Sequence, residues 1–143
     1  MSVSFYRMNA TPTESGYRLL VVDDEAGLRD MLSFCLPDRG FVVTAAGDAN
    51  EAVQKVAESD FDIVICDIMM PDCDGLELLK TLKSMRPEMA VIMATGSPTQ
   101  ATQEESARRG ACGYVPKPFD LDQLCVTVVN ACRKGGPSRT ASA

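Results

Sequence analysis

The sequence predicts an α/β fold in which one doubly wound sheet of five parallel strands is covered by five helices. Three observations carry this. Short β-rich apolar runs alternate five times with segments of helical period, three of the five runs are apolar throughout, and Gly40, Gly47, Gly75, Gly96 and Gly110 punctuate the joints. A continuously apolar strand is buried on both faces, which is the situation of a parallel sheet sandwiched between helices.

The elements follow in order. Arg18–Val22 is the first strand candidate, and Leu28, Met31, Leu32, Cys35 and Leu36 then fall at the i, i+3, i+4, i+7, i+8 positions of a helix with one apolar stripe. Phe41–Ala45 reads as the second strand, followed by a stripe of Ala49, Ala52, Val53, Val56 and Ala57. Ile63–Cys66 is the third strand, with Leu78, Leu79, Leu82 and Met85 on the helix behind it. Between them, Asp72-Cys73-Asp74-Gly75 lacks the flanking ligands of a calcium loop and reads as a turn. Ala90–Ala94 is the fourth strand. The helix expected over Pro98–Arg109 has only Ala101, Thr102, Ser106 and Ala107 to turn inward, so it is the weakest member: plain sequence variation or the mobile part of a switch. Gly113–Val115 closes the sheet, and Leu121, Leu124, Cys125, Val128, Val129 and Cys132 give a strong last stripe.

Alternating strands and helices imply right-handed crossovers, and five such units over residues 17–134 fit the flavodoxin-like strand order 2-1-3-4-5. The fifth strand is then an edge, where Pro116 need not donate to a neighbour. Residues 1–16 read as an N-terminal extension, and residues 135–143, small and polar, as a disordered tail or the start of a linker.

Composition excludes several function classes. The 143 residues suffice for one domain with a real core. The formal charge is −6 and there is no run of basic residues, which argues against a nucleic-acid footprint on this domain. No apolar run approaches the length of a membrane span and the N-terminus has no signal-peptide pattern, so the expected location is the cytoplasm. With no histidine and no CxxC pair, the six cysteines offer neither a zinc site nor Cys-His catalysis. They are expected to be reduced, mostly buried thiols that pack as small hydrophobes.

In an open α/β sheet, ligands bind beyond the carboxyl ends of the strands. The polar residues predicted there are Asp23 and Asp24 after the first strand, Asp67 at the end of the third, Thr95 at the end of the fourth and Lys117 after the fifth. Each has a bland reading alone: Asp24 as a helix cap, Asp67 as a strand end, Thr95 as a β-branched strand residue, Lys117 as a solvated charge. Their joint occurrence at one sheet edge selects the functional reading. Carboxylates about 4 Å apart repel by roughly 4 kcal/mol at an effective dielectric near 20, and a divalent cation relieves this. An all-oxygen donor set suits Mg2+, which keeps room for phosphate oxygens. A carboxylate can attack phosphorus to form an aspartyl phosphate, with Lys117, the Thr95 hydroxyl and the Gly96 N–H as fixed partners for phosphoryl oxygens.

The stretches Leu20-Val21-Val22-Asp23-Asp24-Glu25, Asp67-Ile68-Met69-Met70-Pro71-Asp72-Cys73-Asp74-Gly75, Ala94-Thr95-Gly96 and Tyr114-Val115-Pro116-Lys117-Pro118-Phe119 resemble the receiver domain of two-component response regulators. The resemblance implies that Asp67 accepts a phosphoryl group from a sensor histidine kinase or phosphotransfer protein. It implies magnesium held by Asp23, Asp24, Asp67 and the backbone carbonyl of Met69, and Lys117 paired with Asp67, with a cis Lys117–Pro118 bond. It also implies that Thr95 moves toward the phosphate while Tyr114, otherwise a half-buried edge-strand aromatic, turns inward. The face of the fourth helix, fifth strand and fifth helix would then change for partners, including a second copy of the chain. Two departures stand out: Cys73 where Met or Leu is frequent, and the polar fourth helix. Three rivals are disfavoured. A haloacid-dehalogenase-type phosphatase needs an Asp where Met69 stands. A flavin module needs a phosphate loop where Asp23 and Asp24 stand. A pseudo-receiver has no use for the full set of site residues.

Overall fold

The structure, a computed structural model, describes residues 16–135. Of the extension read over 1–16 and the tail read over 135–143, only Gly16 and Gly135, which ends the last helix, are described; the rest lies outside the described residues. The chain runs β1 (Arg18–Val22), α1 (Ala26–Cys35), a short 3-10 turn (Pro37–Arg39), β2 (Val42–Ala46), α2 (Ala49–Glu58) and β3 (Ile63–Asp67). It continues through a small hairpin (Met69–Met70 with Cys73–Asp74), α3 (Gly75–Met85), β4 (Ala90–Thr95), α4 (Gln100–Arg108), β5 (Gly113–Pro116) and α5 (Leu121–Gly135). The five long strands form one sheet, all parallel, in the order β2-β1-β3-β4-β5. This is the predicted doubly wound topology.

Helices cover both faces because β1, β3 and β4 are apolar on both. Leu19, Val21, Ile63, Ile65 and Ile92 pack with Leu32 of α1, with Leu36 that caps it, and with Leu124, Val128 and Cys132 of α5. Leu20, Val22, Val64, Cys66 and Val91 pack on the opposite face with Ala52 and Val56 of α2 and Leu78, Leu79 and Leu82 of α3. α2 begins at a reciprocal cap: the Asp48 carboxylate accepts from Glu51 N, and the Glu51 carboxylate accepts from Gly47 N.

Three details differ from expectation. β2 starts at Val42, because Phe41 N donates to Leu36 O and so closes the preceding turn instead of joining the ladder. Ala57 is exposed, since the buried stripe of α2 ends at Val56, one residue before it. On α4 only Ser106 is buried; Ala101 and Ala107 face solvent, while Glu105 and Arg109 lie half-buried, paired with each other and with Glu77 and Arg108. Of these pairs only Arg109–Glu77 reaches α3, so that ion pair, the buried Ser106 and the Tyr114 hydroxyl at Thr99 and Thr102 hold α4, a thin anchorage compared with the leucine stripe of α3. All six cysteines are free thiols; Cys66, Cys125 and Cys132 are buried, Cys35 and Cys73 half-buried, and Cys112 exposed. Burial pushes the Cys66, Cys73 and Cys125 thiols above their usual range, which keeps them protonated and inert.

Candidate functional site

The parallel register brings the strand ends into line. Val22 pairs with Cys66, Asp67 with Ala94, and Thr95 with Pro116. Residues just beyond these pairs therefore meet at one edge, although Asp23 and Lys117 are 94 positions apart in sequence. One carboxylate oxygen from each of Asp23, Asp24 and Asp67 lies within 4.8 Å of the others. Asp23 and Asp67 are buried and Asp24 is exposed, so the cluster opens to solvent on the Asp24 side.

Lys117 Nζ enters this cluster at 2.9 Å from Asp23 Oδ2, 3.3 Å from Asp67 Oδ2 and 3.3 Å from Glu25 Oε1. Burial works against its charge, but the hydrogen bond and charge of Asp23, then of Asp67, more than compensate and hold the ammonium above its usual range. For Asp67 the balance runs the other way. Burial and then the Asp23 charge raise its carboxyl above the ordinary value, against the opposing pull of Lys117 and of the Met69 N–H. Asp23, Asp24, Asp67 and Glu25 against one ammonium leave three negative charges, an excess that a divalent cation lowers. The donors are all oxygens, which suits a hard ion such as magnesium.

Asp24 does not cap α1: the N-cap is Glu25, which makes no side-chain cap bond, while Asp23 Oδ1 accepts from Glu25 N at 2.9 Å. The bland reading of Asp24 thus fails on geometry. Met69 sits on the small hairpin with its side chain 65% exposed, and its N–H donates to Asp67 Oδ1 at 3.2 Å. The Thr95 hydroxyl is buried and accepts from Ser97 N at 3.0 Å, and Gly96 is exposed, with open space where a side chain would be. The Lys117–Pro118 peptide is cis. Tyr114 is half-buried, and its hydroxyl points to the start of α4, sharing a hydrogen bond with the Thr102 hydroxyl and accepting from Thr99 N at 3.1 Å. A separate surface cavity of about 300 Å³ flanks this tyrosine, bounded by Pro116, Pro118, Phe119, Gln123 and Leu124, away from the carboxylates.

Two contributors escaped the sequence reading. Glu25 is a third acid on Lys117, and its place in the acidic triplet was the available signal. Gly75 lies so near the end of β3 that a Cβ there would sit 2.2 Å from the Asp67 carbonyl oxygen and 2.6 Å from Ile68 Cα. Gly75 N donates to Ile68 O at 2.9 Å, and the Asp74 cap accepts from Leu76 N at the same turn. The start of α3 thereby buttresses the Asp67 backbone. No local pattern announces such an approach.

A family model described as the response regulator receiver domain matches residues 19–129. The chain belongs to this family. As a receiver domain it is a signalling module of two-component systems, built for phosphoacceptor switching. It is 36% identical over 123 residues to the DNA-binding transcriptional regulator NtrC of Azospirillum brasilense, covering 86% of this chain and 26% of that protein. It is 33% identical over 125 residues to the transcriptional regulatory protein FixJ of Bradyrhizobium diazoefficiens, covering 87% of this chain and 61% of that one. The chain thus spans from about a quarter to under two thirds of these relatives. A CheY-like receiver domain from Methanospirillum hungatei superposes with a TM-score of 0.80 at 30% identity, covering 85% of this chain and 97% of the other. Among the described residues, no helix is long and apolar enough to cross a membrane.

Proposed function

We propose that Asp67 is the phosphoacceptor and that its phosphoryl group comes from a sensor histidine kinase or phosphotransfer protein. The supporting observation is the convergence of Asp23, Asp24 and Asp67 within 4.8 Å, with Lys117 Nζ 3.3 Å from an Asp67 oxygen. An Asp67 carboxylate oxygen attacks phosphorus as the phosphorus–nitrogen bond of a phosphohistidine breaks, and the imidazole leaves with the bonding pair. Lys117 is close enough to stay paired with Asp67 and to meet a phosphoryl oxygen. Thr95 and the Gly96 N–H stand at the adjoining strand end as further donors. Asp23, Asp24, Asp67 and the Met69 carbonyl would hold Mg2+, which when bound offsets the negative charge of the phosphoryl oxygens. The chain in this reading promotes its own phosphorylation and dephosphorylation, and works in the cytoplasm.

The same reading includes a switch, which the places of Thr95 and Tyr114 support. As Thr95 turns from Ser97 N toward the phosphoryl group, it vacates space that Tyr114 can enter, releasing its bonds to Thr99 and Thr102. The α4–β5–α5 face is then altered for partners, a second copy of the chain among them. The acidic chain itself makes no direct nucleic-acid contact in this reading; the DNA-binding name belongs to longer relatives.

Incubation with acetyl phosphate and magnesium, followed by intact-mass measurement, tests the assignment. One added phosphoryl group is expected in the wild type and none in Asp67→Asn. Phosphorylation that persists in the variant, or is absent from the wild type, overturns it.

A further inference from the structure

Asp23 uses both carboxylate oxygens inside the cluster, Oδ1 toward Glu25 N and Oδ2 toward Lys117. What holds its backbone is Arg29, one turn into α1, whose Nη1 donates to the Asp23 carbonyl at 2.7 Å. The guanidinium lies over Gly47 on the neighbouring β2–α2 joint. A Cβ at Gly47 would meet Arg29 Nη1 at 3.1 Å, Cζ at 3.3 Å and Nη2 at 3.5 Å. Gly47 is itself held, because its N–H donates to Glu51 at 2.8 Å as part of the α2 cap. On its other side, Asp23 N donates to Ala46 O at 3.1 Å. Arg29 therefore spans two loops, seated on a bare glycine and gripping the peptide that carries a metal-site carboxylate.

We propose that Arg29 is a positioning residue for cation binding, seated on Gly47 and acting through the Asp23 backbone; this rests on the phosphoacceptor reading above. The guanidinium touches a carbonyl and not a carboxylate, so it orients Asp23 without competing for the oxygens that would hold the ion. Outer partners of metal ligands commonly change metal affinity by about 10–100-fold when removed.

The sign of the effect separates this role from electrostatics alone. Arg29 is a positive charge near a cation site, so deleting it without any loss of positioning would tighten cation binding. Positioning predicts the reverse. Mn2+ binding to the full chain, followed by loss of its free-ion paramagnetic resonance signal with Mg2+ as competitor, reads affinity without reference to phosphorylation. Arg29→Ala is expected to weaken both ions about tenfold, and Arg29→Lys, which keeps charge and some donor capacity, to weaken them less. Gly47→Ala, which leaves Arg29 in place but crowds its seat, is expected to weaken binding by a few-fold and serves if Arg29→Ala does not fold. Unchanged or tighter binding in Arg29→Ala, or unchanged binding in a folded Gly47→Ala when Arg29→Ala cannot be purified, overturns the proposal. A wild-type chain that binds neither ion overturns the phosphoacceptor reading as well, so the two failures are told apart.

Discussion

Replacing Gly75 with alanine sets two effects of opposite sign against each other. Gly75 is the first residue of α3, and a helical glycine-to-alanine change ordinarily stabilises by up to about 1 kcal/mol. Here the new Cβ would stand 2.2 Å from the Asp67 carbonyl oxygen, 2.6 Å from Ile68 Cα and 2.7 Å from Ile68 O, where separations under 3.0 Å are essentially never found. All three obstacles are backbone atoms, so no side chain can rotate away. The start of α3 must withdraw by roughly 0.8 Å. That strains the Gly75 N to Ile68 O hydrogen bond, for about 1 kcal/mol, and adds overpacking of about 1–3 kcal/mol. After the propensity gain, the net loss is about 2 kcal/mol, a fall in Tm of roughly 8 °C for a domain of this size. The backbone it presses on carries Asp67, and a misplacement near 1 Å can slow a reaction by about 100-fold, so phosphoryl uptake from acetyl phosphate should drop at least tenfold. Gly96→Ala, with nothing within 4 Å of its Cβ, is the control and should unfold within about 0.5 kcal/mol of wild type. Thermal unfolding by circular dichroism, alongside intact-mass kinetics, reads both effects. A Gly75→Ala protein as stable as wild type and equally quick to take phosphate would refute the reasoning.

Asp67→Asn should raise Tm by a few degrees at pH 7 in metal-free buffer, with the gain shrinking as pH falls toward 4. The folded carboxyl is raised by burial and by Asp23, so its charged form is a penalty that grows as pH rises through its folded value and vanishes below its unfolded one. A gain of the same size at both pH values would contradict this. Lys117→Met leaves Asp23 and Asp67 facing each other without their cation, and should cost about 3 kcal/mol in chemical denaturation without metal. Added millimolar magnesium should recover part of it, and an undiminished stability without metal would argue against the pairing. Tyr114→Phe deletes the bonds to Thr99 and Thr102 for about 1 kcal/mol, and should speed hydrogen exchange at the first amides of α4, with α3 unaffected.

Much of this was legible without coordinates, and the reason is periodicity. The runs Leu19–Val22, Ile63–Cys66 and Ala90–Ala94 are apolar on both faces, and the stripes of α3 and α5 repeat at helical spacing, so alternation and hence parallel order could be read directly. Strand ends then located Asp23, Asp67, Thr95 and Lys117 at one edge. Reading was poorest where apolar pattern was poorest. α4 has almost no stripe, and the side it turns inward carries Thr102, Glu105 and Ser106 rather than Ala101 and Ala107.

The sequence by itself determined the layer order and which acids share an edge, because those depend on local period and on the few topologies that short right-handed crossovers permit. Only the tertiary structure decided that Lys117 lies nearer Asp23 than Asp67, that Glu25 joins them, that Tyr114 points to α4, and that Gly75 must be bare. Those contacts are sub-ångström outcomes of packing between segments far apart in the chain, and no spacing along the chain encodes a distance across the sheet.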